Sequence, residues 1–404
     1  MSKKILKPVY LFLLVIVFAC EKSEIETTTQ PENKSNVNST INNVSKETAI
    51  IVANNFLEFM RLNPPEGRLQ QRTEPEKIVE ETFTIKTMND YDAIHVINYV
   101  DGGYVVVSAD NRVSPIQAYS EDGTFDRNIN EIPDPVVTWI EEEKTVVERL
   151  KTTNFDPPGP IVYQWNYLLT VIYGNPAICA PFVIQKGPLL QTRWGQGDDY
   201  NNLIGVSCPT KSGGQAPTGC VATAMAQVMK FHGFPDNYSW NSMPNIGGTI
   251  HTQWIMRNIG ISIGMNYTCE GSGADSSLMP SVFMNNFGYA NASFGYYSTE
   301  TVINNLNINK PVIISAGRRR GGIYFPWNDY ANGHAWVCDG YRLLVIRQPQ
   351  PNGSCNNTGM AFLHMNWGWN GSYNDSYYND NNFSPNSGQL DFNYQKKLIY
   401  NIVP

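Results

Sequence analysis

Apolar side chains recur at helical spacing in two early segments of the chain and at strand-like spacing between them. The first helix is predicted over about 45–60. The second begins at Asp134-Pro135, a typical cap and first-turn pair, and reaches about Leu150. The runs with strand character lie at 82–87, 93–100 and 104–108. A helix, a small antiparallel sheet and a closing helix predict a compact α+β domain over 45–150.

An Ala- and Met-rich segment at 218–232 predicts a buried helix in the second half of the chain. Gly233 occupies the position of a C-terminal cap, and Pro235 prevents the helix from continuing. Cys220 lies in the first turn, where unpaired N–H groups and the helix dipole favour an anion. Its thiol should therefore ionise more readily than a free cysteine with a pKa of about 8.5. The helix alone is equally consistent with an inert buried cysteine.

Two later strand-like segments contain polar residues that could act together with such a thiol. A turn at 332–333 leads into a strand whose first inward residue is His334. In a second strand, period-two alternation places four residues on one face: Met360, Phe362, His364 and Asn366. A thiolate, an imidazole that accepts and returns its proton, and an amide oxygen that orients the imidazole form a nucleophilic unit.

Four parts of the second half together closely resemble the streptopain family of papain-fold cysteine peptidases. They are 188–190 with 194–197, 219–224, 333–341 and 364–369. The resemblance implies a papain-like α+β catalytic domain over 187–404, with a central helix packed on an antiparallel sheet. It also implies cleavage of protein or peptide substrates through a thioester, without a metal or organic cofactor.

The resemblance assigns roles to four residues: Cys220 as nucleophile, His334 as its base, Asn366 as the acceptor that orients His334, and Gln196 as an oxyanion donor together with the Cys220 N–H. Donors of this kind typically change the rate about a hundredfold or more. Gln215 is a competing oxyanion candidate. It ranks lower because a loop of five residues would struggle to turn its side chain back towards Cys220.

The other histidines and three tryptophans complete the candidate site. His364 is an alternative base because it shares a strand face with Asn366, whereas His232 ends the Cys220 helix and is expected as a cation near its C-terminal dipole. Three tryptophans are expected at the cleft: Trp367 or Trp369 would shield the His334–Asn366 bond, and Trp327 lies in a loop forming a cleft wall.

The first half resembles a pro-domain in the segment 104–113. The resemblance implies that 45–150 is a folded inhibitor that covers the cleft until it is removed. An accessory domain that stays attached is the alternative. Residues 151–186 contain Pro157-Pro158-Gly159-Pro160 and no stable periodicity before Val183, so this segment is interpreted as the activation linker.

The N-terminus has the features of an export signal. Lysines at positions 3, 4 and 7 precede an apolar run from Val9 to Ala19, which is too short to span a membrane as a helix. Ala19-Cys20 resembles the cleavage site of a bacterial lipoprotein. Residues 1–20 are therefore expected to be a lipoprotein signal peptide, with Cys20 lipidated as a membrane anchor, and the Thr-, Asn- and Ser-rich 21–44 a flexible tether. Simple secretion is the alternative.

Composition argues against nucleic acid as a binding partner. Charged residues make up 16% of the chain, the net charge is −7, and the sequence has no basic stripe of the kind that binds nucleic acid. Export would place the six cysteines other than Cys20 in a disulfide-permissive compartment. Apart from Cys220 they number five, and because five is odd, at least one of them should remain a thiol. Cys338 is the one expected to be buried and unbridged. No CxxC pair indicates zinc.

Two other functions remain open from the sequence. A surface lipoprotein with a papain-like fold could bind peptide or glycan through its many Tyr and Trp residues without catalysis. A papain-fold amidase or acyltransferase would share the first half-reaction with a peptidase. The sequence has a residue for each of the four catalytic roles, which favours an exported or surface-anchored endopeptidase that is made as a zymogen.

Overall fold

Seven α-helices and eleven β-strands occur in the residues that the computed structural model describes, which are 42–65, 77–170, 179–319, 330–371, 376–380 and 396–404. The helices are α1 (Lys46–Leu62), α2 (Asp134–Lys151), α3 (Gly159–Leu169), α4 (Cys220–His232), α5 (Ile250–Ile263), α6 (Met279–Phe287) and α7 (Thr299–Asn307). The strands are β1 (Val79–Lys86), β2 (Asp92–Tyr99), β3 (Tyr104–Ser108), β4 (Ile116–Ser120), β5 (Phe182–Lys186), β6 (Asn291–Tyr296), β7 (Val312–Arg319), β8 (Tyr330–Pro349), β9 (Cys355–Asn366), β10 (Ser376–Asn379) and β11 (Lys397–Val403).

All eleven strands belong to one sheet, and every pairing in it is antiparallel. The order is β1-β2-β3-β4-β10-β9-β8-β7-β11-β6, with β5 beside β8. Because β4 pairs with β10, the N-terminal sheet of β1–β4 continues directly into the C-terminal sheet. The described residues lie within one compact unit, Asn38–Pro404. The predicted α+β class is confirmed.

The buried helix α4 packs on the C-terminal sheet and on α5, as the small residues along it predicted. Ala222, Ala224 and Ala226 are at most 2% exposed, which lets the helix lie close to β8. Gly219 precedes the helix at φ +88°, and a Cβ there would lie 2.7 Å from the sulfur of Met265. Both the backbone angle and the close neighbour therefore require glycine immediately before Cys220.

The N-terminal sheet is covered by a helix on each face, because its strands alternate between two cores. Along β3, Val105 and Val107 face the core that contains α1, while Tyr104 and Val106 face the core that contains α2. The helix–sheet–helix order predicted for 45–150 is confirmed. The shared sheet gives this domain and the C-terminal half a continuous hydrophobic interior.

The segment 151–186, interpreted as a linker without stable periodicity before Val183, contains α3 and β5. Proline in the first turn begins α3 because the fixed φ of proline suits a turn whose N–H groups have no helical partner. The helix packs on α1, where Asn55 Nδ2 donates to the Leu168 carbonyl at 2.6 Å. β5 pairs with β8 and so forms part of the C-terminal sheet. The periodicity was missed because α3 is only 11 residues long.

Four cysteines form two disulfides, Cys179–Cys355 and Cys208–Cys269. Cys338 is a buried thiol, as expected, and so is Cys220. Within the described ranges, no helix is both long and apolar enough to cross a membrane. The described part of the chain likewise places no group of three or more His, Cys, Asp or Glu side chains where they could hold a metal ion.

Candidate active site

The thiol of Cys220 lies at the N-terminal end of α4, 8% exposed, at the wall of a cavity of about 260 Å³. The other walls come from the 273–276 segment, from Ser315 on β7, from the start of β8 and from the edge formed by Phe294 and Lys397. Every lining residue belongs to the C-terminal half. Among the described residues, the N-terminal domain contributes nothing to this cavity, so the expected covering of the cleft is not seen here.

His334 lines the same cavity from β8, where it pairs with Ala316 of β7. Its side chain is 8% exposed and lies within hydrogen-bonding reach of the Cys220 thiol. The other end of the ring is held in place, since Nε2 lies 3.2 Å from the backbone carbonyl oxygen of Trp367. An acceptor at Nε2 favours a proton there, which leaves Nδ1 to face the sulfur.

The surroundings of Cys220 favour its ionised form. Burial alone would raise the pKa of the thiol, but the charge of His334 and its hydrogen bond outweigh burial, together with backbone contacts from Ala335 and Val221. The net effect holds the pKa of Cys220 below its usual value. A thiolate beside an imidazolium is the reactive form of a nucleophilic cysteine.

Asn366 ends β9 immediately before Trp367, with its side chain 4% exposed. Its Oδ1 accepts from Gln227 Nε2 at 3.1 Å and from the Gly368 N–H at 3.3 Å, and its Nδ2 donates to the Thr192 carbonyl at 2.7 Å. These contacts fix the turn that presents the Trp367 carbonyl to His334. The direct bond from His334 to the Asn366 side chain stays a prediction.

Gln196 lies in the loop before α4, and its backbone carbonyl accepts from the Thr218 N–H at 2.8 Å. This bond brings the loop beside the residues that lead into Cys220. The backbone of Gln215, the competing candidate, bridges to Ser207, and its carbonyl accepts from Asn201 Nδ2 at 3.0 Å. The structure therefore brings Cys220, His334, Trp367 and the Gln196 backbone into one neighbourhood, with Asn366 directly behind.

The remaining candidates fall into three groups. His364 is buried away from the cavity and bonds Asp339, while Trp369 is 37% exposed. His232 is not the cation that its helix position predicted, because burial, with Lys310 nearby, lowers its pKa to about 4. Trp327 and Cys20 lie outside the described residues.

A row of aromatic rings connects the candidate base to the N-terminal domain. His334 stacks on Trp336 with centroids 6.2 Å apart, and Trp336 lies 4.9 Å from Trp367. Trp367 contacts Tyr378 at 5.1 Å, and Tyr378 contacts Trp139 of α2 at 5.0 Å. Trp367 is thus buried in this row, which connects Trp139 of the N-terminal domain to His334 through successive ring contacts.

Two polar residues of α4 were missed by the sequence analysis. Thr223 and Gln227 are fully buried, and both bond the loop that contains Gln196. Their spacing from Cys220 places them one and two turns along the helix. Hydroxyl and amide side chains in an otherwise Ala- and Met-rich helix were the signal that could have identified them.

The fold and this site define a papain-like cysteine peptidase with an N-terminal pro-domain, and comparisons with known proteins agree. The Peptidase C10 family model matches residues 194–251 and 236–378, and the Spi protease inhibitor model matches 41–147. These matches confirm the resemblance to the streptopain family of cysteine peptidases.

Two curated relatives and one solved structure show the extent of the similarity. Streptopain of Streptococcus pyogenes is 26% identical over 367 residues, covering 77% of this chain and 81% of the relative. The thiol protease/hemagglutinin PrtT of Porphyromonas gingivalis is 25% identical over 351 residues, covering 75% of this chain and 36% of the relative. The structure of a Prevotella intermedia prointerpain A fragment superposes with a TM-score of 0.55 at 23% identity, covering 80% of this chain and 99% of that one.

Proposed function

We propose that the chain is the zymogen of a cysteine endopeptidase in which Cys220 is the nucleophile and His334 the general acid and base. The observation that carries this proposal is that a thiol at a helix N-terminus and an imidazole line one cavity within hydrogen-bonding reach. The helix dipole and the imidazolium both stabilise a thiolate there.

Each step of the reaction then has a named group. The Cys220 thiolate attacks the peptide carbonyl, forming a carbon–sulfur bond and an oxyanion. Collapse of this intermediate breaks the carbon–nitrogen bond, and His334 gives its proton to the departing amine. Water, deprotonated by His334, attacks the thioester, and the acid product leaves as the thiolate returns. This cycle needs no metal or organic cofactor.

Gln196 and the Cys220 N–H donate to the oxyanion in this proposal. The bond between the Gln196 carbonyl and the Thr218 N–H supports it, because it holds the Gln196 loop beside the start of α4. The Trp367 carbonyl holds the proton of His334 Nε2, and Asn366 orients that carbonyl and His334. Trp369 and Trp327 would contact substrate or shield the site.

The pro-domain acts as an intramolecular inhibitor through the aromatic row. Its α2 packs Trp139 against Tyr378, which contacts Trp367 beside His334. Docking of the pro-domain can therefore bias the position of the His334 acceptor without occupying the cavity. Trp139→Ala should speed conversion of the full-length chain to a shorter form. An unchanged rate, followed by electrophoresis, would remove this role.

Export and lipid anchoring at Cys20 complete the proposal. The two disulfides support an oxidising compartment, since such bonds are rare where thiols are kept reduced. Cells expressing the chain should incorporate a radioactive fatty acid, and Cys20→Ser should abolish the label. Unlabelled protein from the unmodified chain would favour simple secretion.

One experiment separates the endopeptidase from the two alternatives. The processed domain is incubated with casein, with and without a thiol-alkylating epoxide, beside Cys220→Ala. We expect cleavage that both the epoxide and the substitution abolish. A surface binding protein would leave casein intact, and an amidase or acyltransferase would do so while remaining able to form a thioester with small amides.

A further inference from the structure

Gln227 is a fully buried amide on α4, two helical turns after Cys220. Its side chain makes two hydrogen bonds, and each leads to a different part of the candidate site. Oε1 accepts from the Trp194 N–H at 3.2 Å, and Nε2 donates to Asn366 Oδ1 at 3.1 Å. One side chain therefore joins the nucleophile helix to two other segments.

The first bond fixes the start of the Gln196 loop. Trp194 is fully buried, with its indole Nε1 donating to the Pro244 carbonyl at 2.8 Å, and it stands two residues before Gln196. Thr223, one turn before Gln227, donates to the Gly195 carbonyl at 3.4 Å. The same face of α4 therefore holds consecutive backbone groups of this loop.

The second bond fixes the turn that carries the acceptor for His334. Asn366 Oδ1 also accepts from the Gly368 N–H at 3.3 Å, so the two bonds enclose the backbone of Trp367. Gly368 has φ +74°, and a Cβ there would come within 3.0 Å of Thr223. The turn is thus packed directly on α4, and little space remains for it to shift.

The direction of each bond in this network is determined by its neighbours. Asn366 must present its oxygen to Gln227 because its Nδ2 donates to the Thr192 carbonyl and its Oδ1 accepts from Gly368. Gln227 must accept at Oε1 because its partner at Trp194 is an N–H group. A carboxylate at 227 would oppose the Asn366 oxygen, and rotating Asn366 would break its other bonds.

We infer that Gln227 is a positioning residue that sets the Gln196 loop and the Trp367 carbonyl against Cys220 and His334 at the same time. It touches neither substrate nor the reacting atoms. Its effect reaches the reaction through the geometry of oxyanion donors and of the His334 acceptor, where misplacement of about 1 Å can cost a hundredfold in rate. This inference rests on the proposed function.

The test compares Gln227→Met and Gln227→Glu with the unsubstituted chain. Methionine keeps the volume and loses both bonds, whereas glutamate keeps one acceptor and repels Asn366. We expect kcat on a fluorogenic peptide to fall about ten- to a hundredfold with KM within about threefold. We also expect the pH midpoint of Cys220 alkylation by iodoacetamide to rise, because a displaced acceptor supports the imidazolium less well.

Asn305→Leu is the matched control. Asn305 is also a buried helical amide, accepting from the Asn401 N–H at 2.9 Å and donating to the Thr301 carbonyl at 2.9 Å, but it does not line the cavity. It should lower the denaturation midpoint while leaving kcat and the alkylation profile unchanged. Alkylation is measured on the full-length chain as well, so a variant that fails to mature still gives an answer.

The outcomes separate this inference from the proposed function. An inactive unsubstituted domain would remove the proposed function. If that domain is active and both Gln227 variants keep its alkylation midpoint, losing only stability as Asn305→Leu does, Gln227 is merely structural and the inference is wrong. A raised midpoint with lower kcat in either variant supports it.

Discussion

Cysteine and histidine occur close together in two regions of the C-terminal half, and only one has the properties of an active site. We call them the cleft region, Cys220 with His334, and the interior region, Cys338 with Asp339 and His364. Both histidines are buried, His334 at 8% and His364 at 3% exposure. Burial and residue type therefore do not distinguish the two regions.

The two regions differ in what each group faces. In the cleft region the thiol and the imidazole line one cavity within hydrogen-bonding reach of each other, and the pKa of Cys220 is lowered. In the interior region, burial and the nearby Asp339 raise the pKa of Cys338 well above its usual value. His364 Nδ1 lies 2.6 Å from the Asp339 carboxylate instead. A functional site thus needs a cation beside the thiol and space for a substrate.

The largest effect is expected from His334→Ala in the processed domain. Loss of the proton carrier should lower kcat about a thousandfold or more while the domain remains folded, because residues of such units are individually indispensable. Peptide hydrolysis and the denaturation midpoint are measured together.

His364→Gln is the comparison for this experiment. It should leave kcat of the folded fraction within about threefold, since His364 lies outside the cavity. If His364→Gln removed activity from a folded domain and His334→Ala did not, the assignment of the two regions would be reversed.

The second expected effect is on stability and belongs to the interior region. Asp339 is 1% exposed in its side chain, and one oxygen bonds His364 while the other accepts from the Leu190 N–H at 2.8 Å. His364→Leu removes the imidazole and leaves a buried carboxylate, which typically costs about 3–5 kcal/mol. Urea unfolding of the full-length chain in a Cys220→Ala background, which cannot process itself, measures this loss.

Adding Asp339→Asn to His364→Leu tests the cause of that loss. Without a buried charge, the double variant should recover part of the stability that the single variant loses. Equal stability of the single and double variants would mean that the unpaired buried carboxylate is not responsible. His334→Leu, tested in the same background, should cost less because Nε2 of His334 bonds the backbone carbonyl of Trp367 and not a buried carboxylate.

The sequence predicted the cleft region better than the interior region. Helix spacing and Gly233 placed Cys220 at a helix start, and strand alternation placed His334 facing inwards, because both signals are local in the chain. The partnership of His364 with Asp339 was not predictable in this way. The two residues come from different strands, and a bulge in the β8–β9 pairing brings Gly340, not Asp339, opposite His364.

The sequence pattern also gave wrong or missing predictions for residues whose environment is formed by distant segments. His232 was expected to be a cation from its position on the helix, but packing against Tyr289 buries it and keeps it neutral. Gln227 gave no local signal beyond its polarity, since Trp194 and Asn366 approach it from segments 33 and 139 residues away. Pairings between remote segments are decided by tertiary packing, which local periodicity does not encode.

The smallest expected effect is on thiol reactivity, and it compares the two cysteines directly. Iodoacetamide reacts with thiolates, so near pH 7 it should label Cys220 and leave Cys338 unlabelled, because the pKa of Cys220 is lowered and that of Cys338 is raised.

His334→Ala removes the charge that lowers the pKa of Cys220. At a pH below the pKa, each unit by which the pKa rises reduces the thiolate fraction about tenfold, so labelling of Cys220 should slow. His364→Gln should not change the rate. Peptide mapping of the labelled full-length chain measures both sites at once, and equal labelling of Cys220 and Cys338 would show that the two regions do not differ in the way that their surroundings indicate.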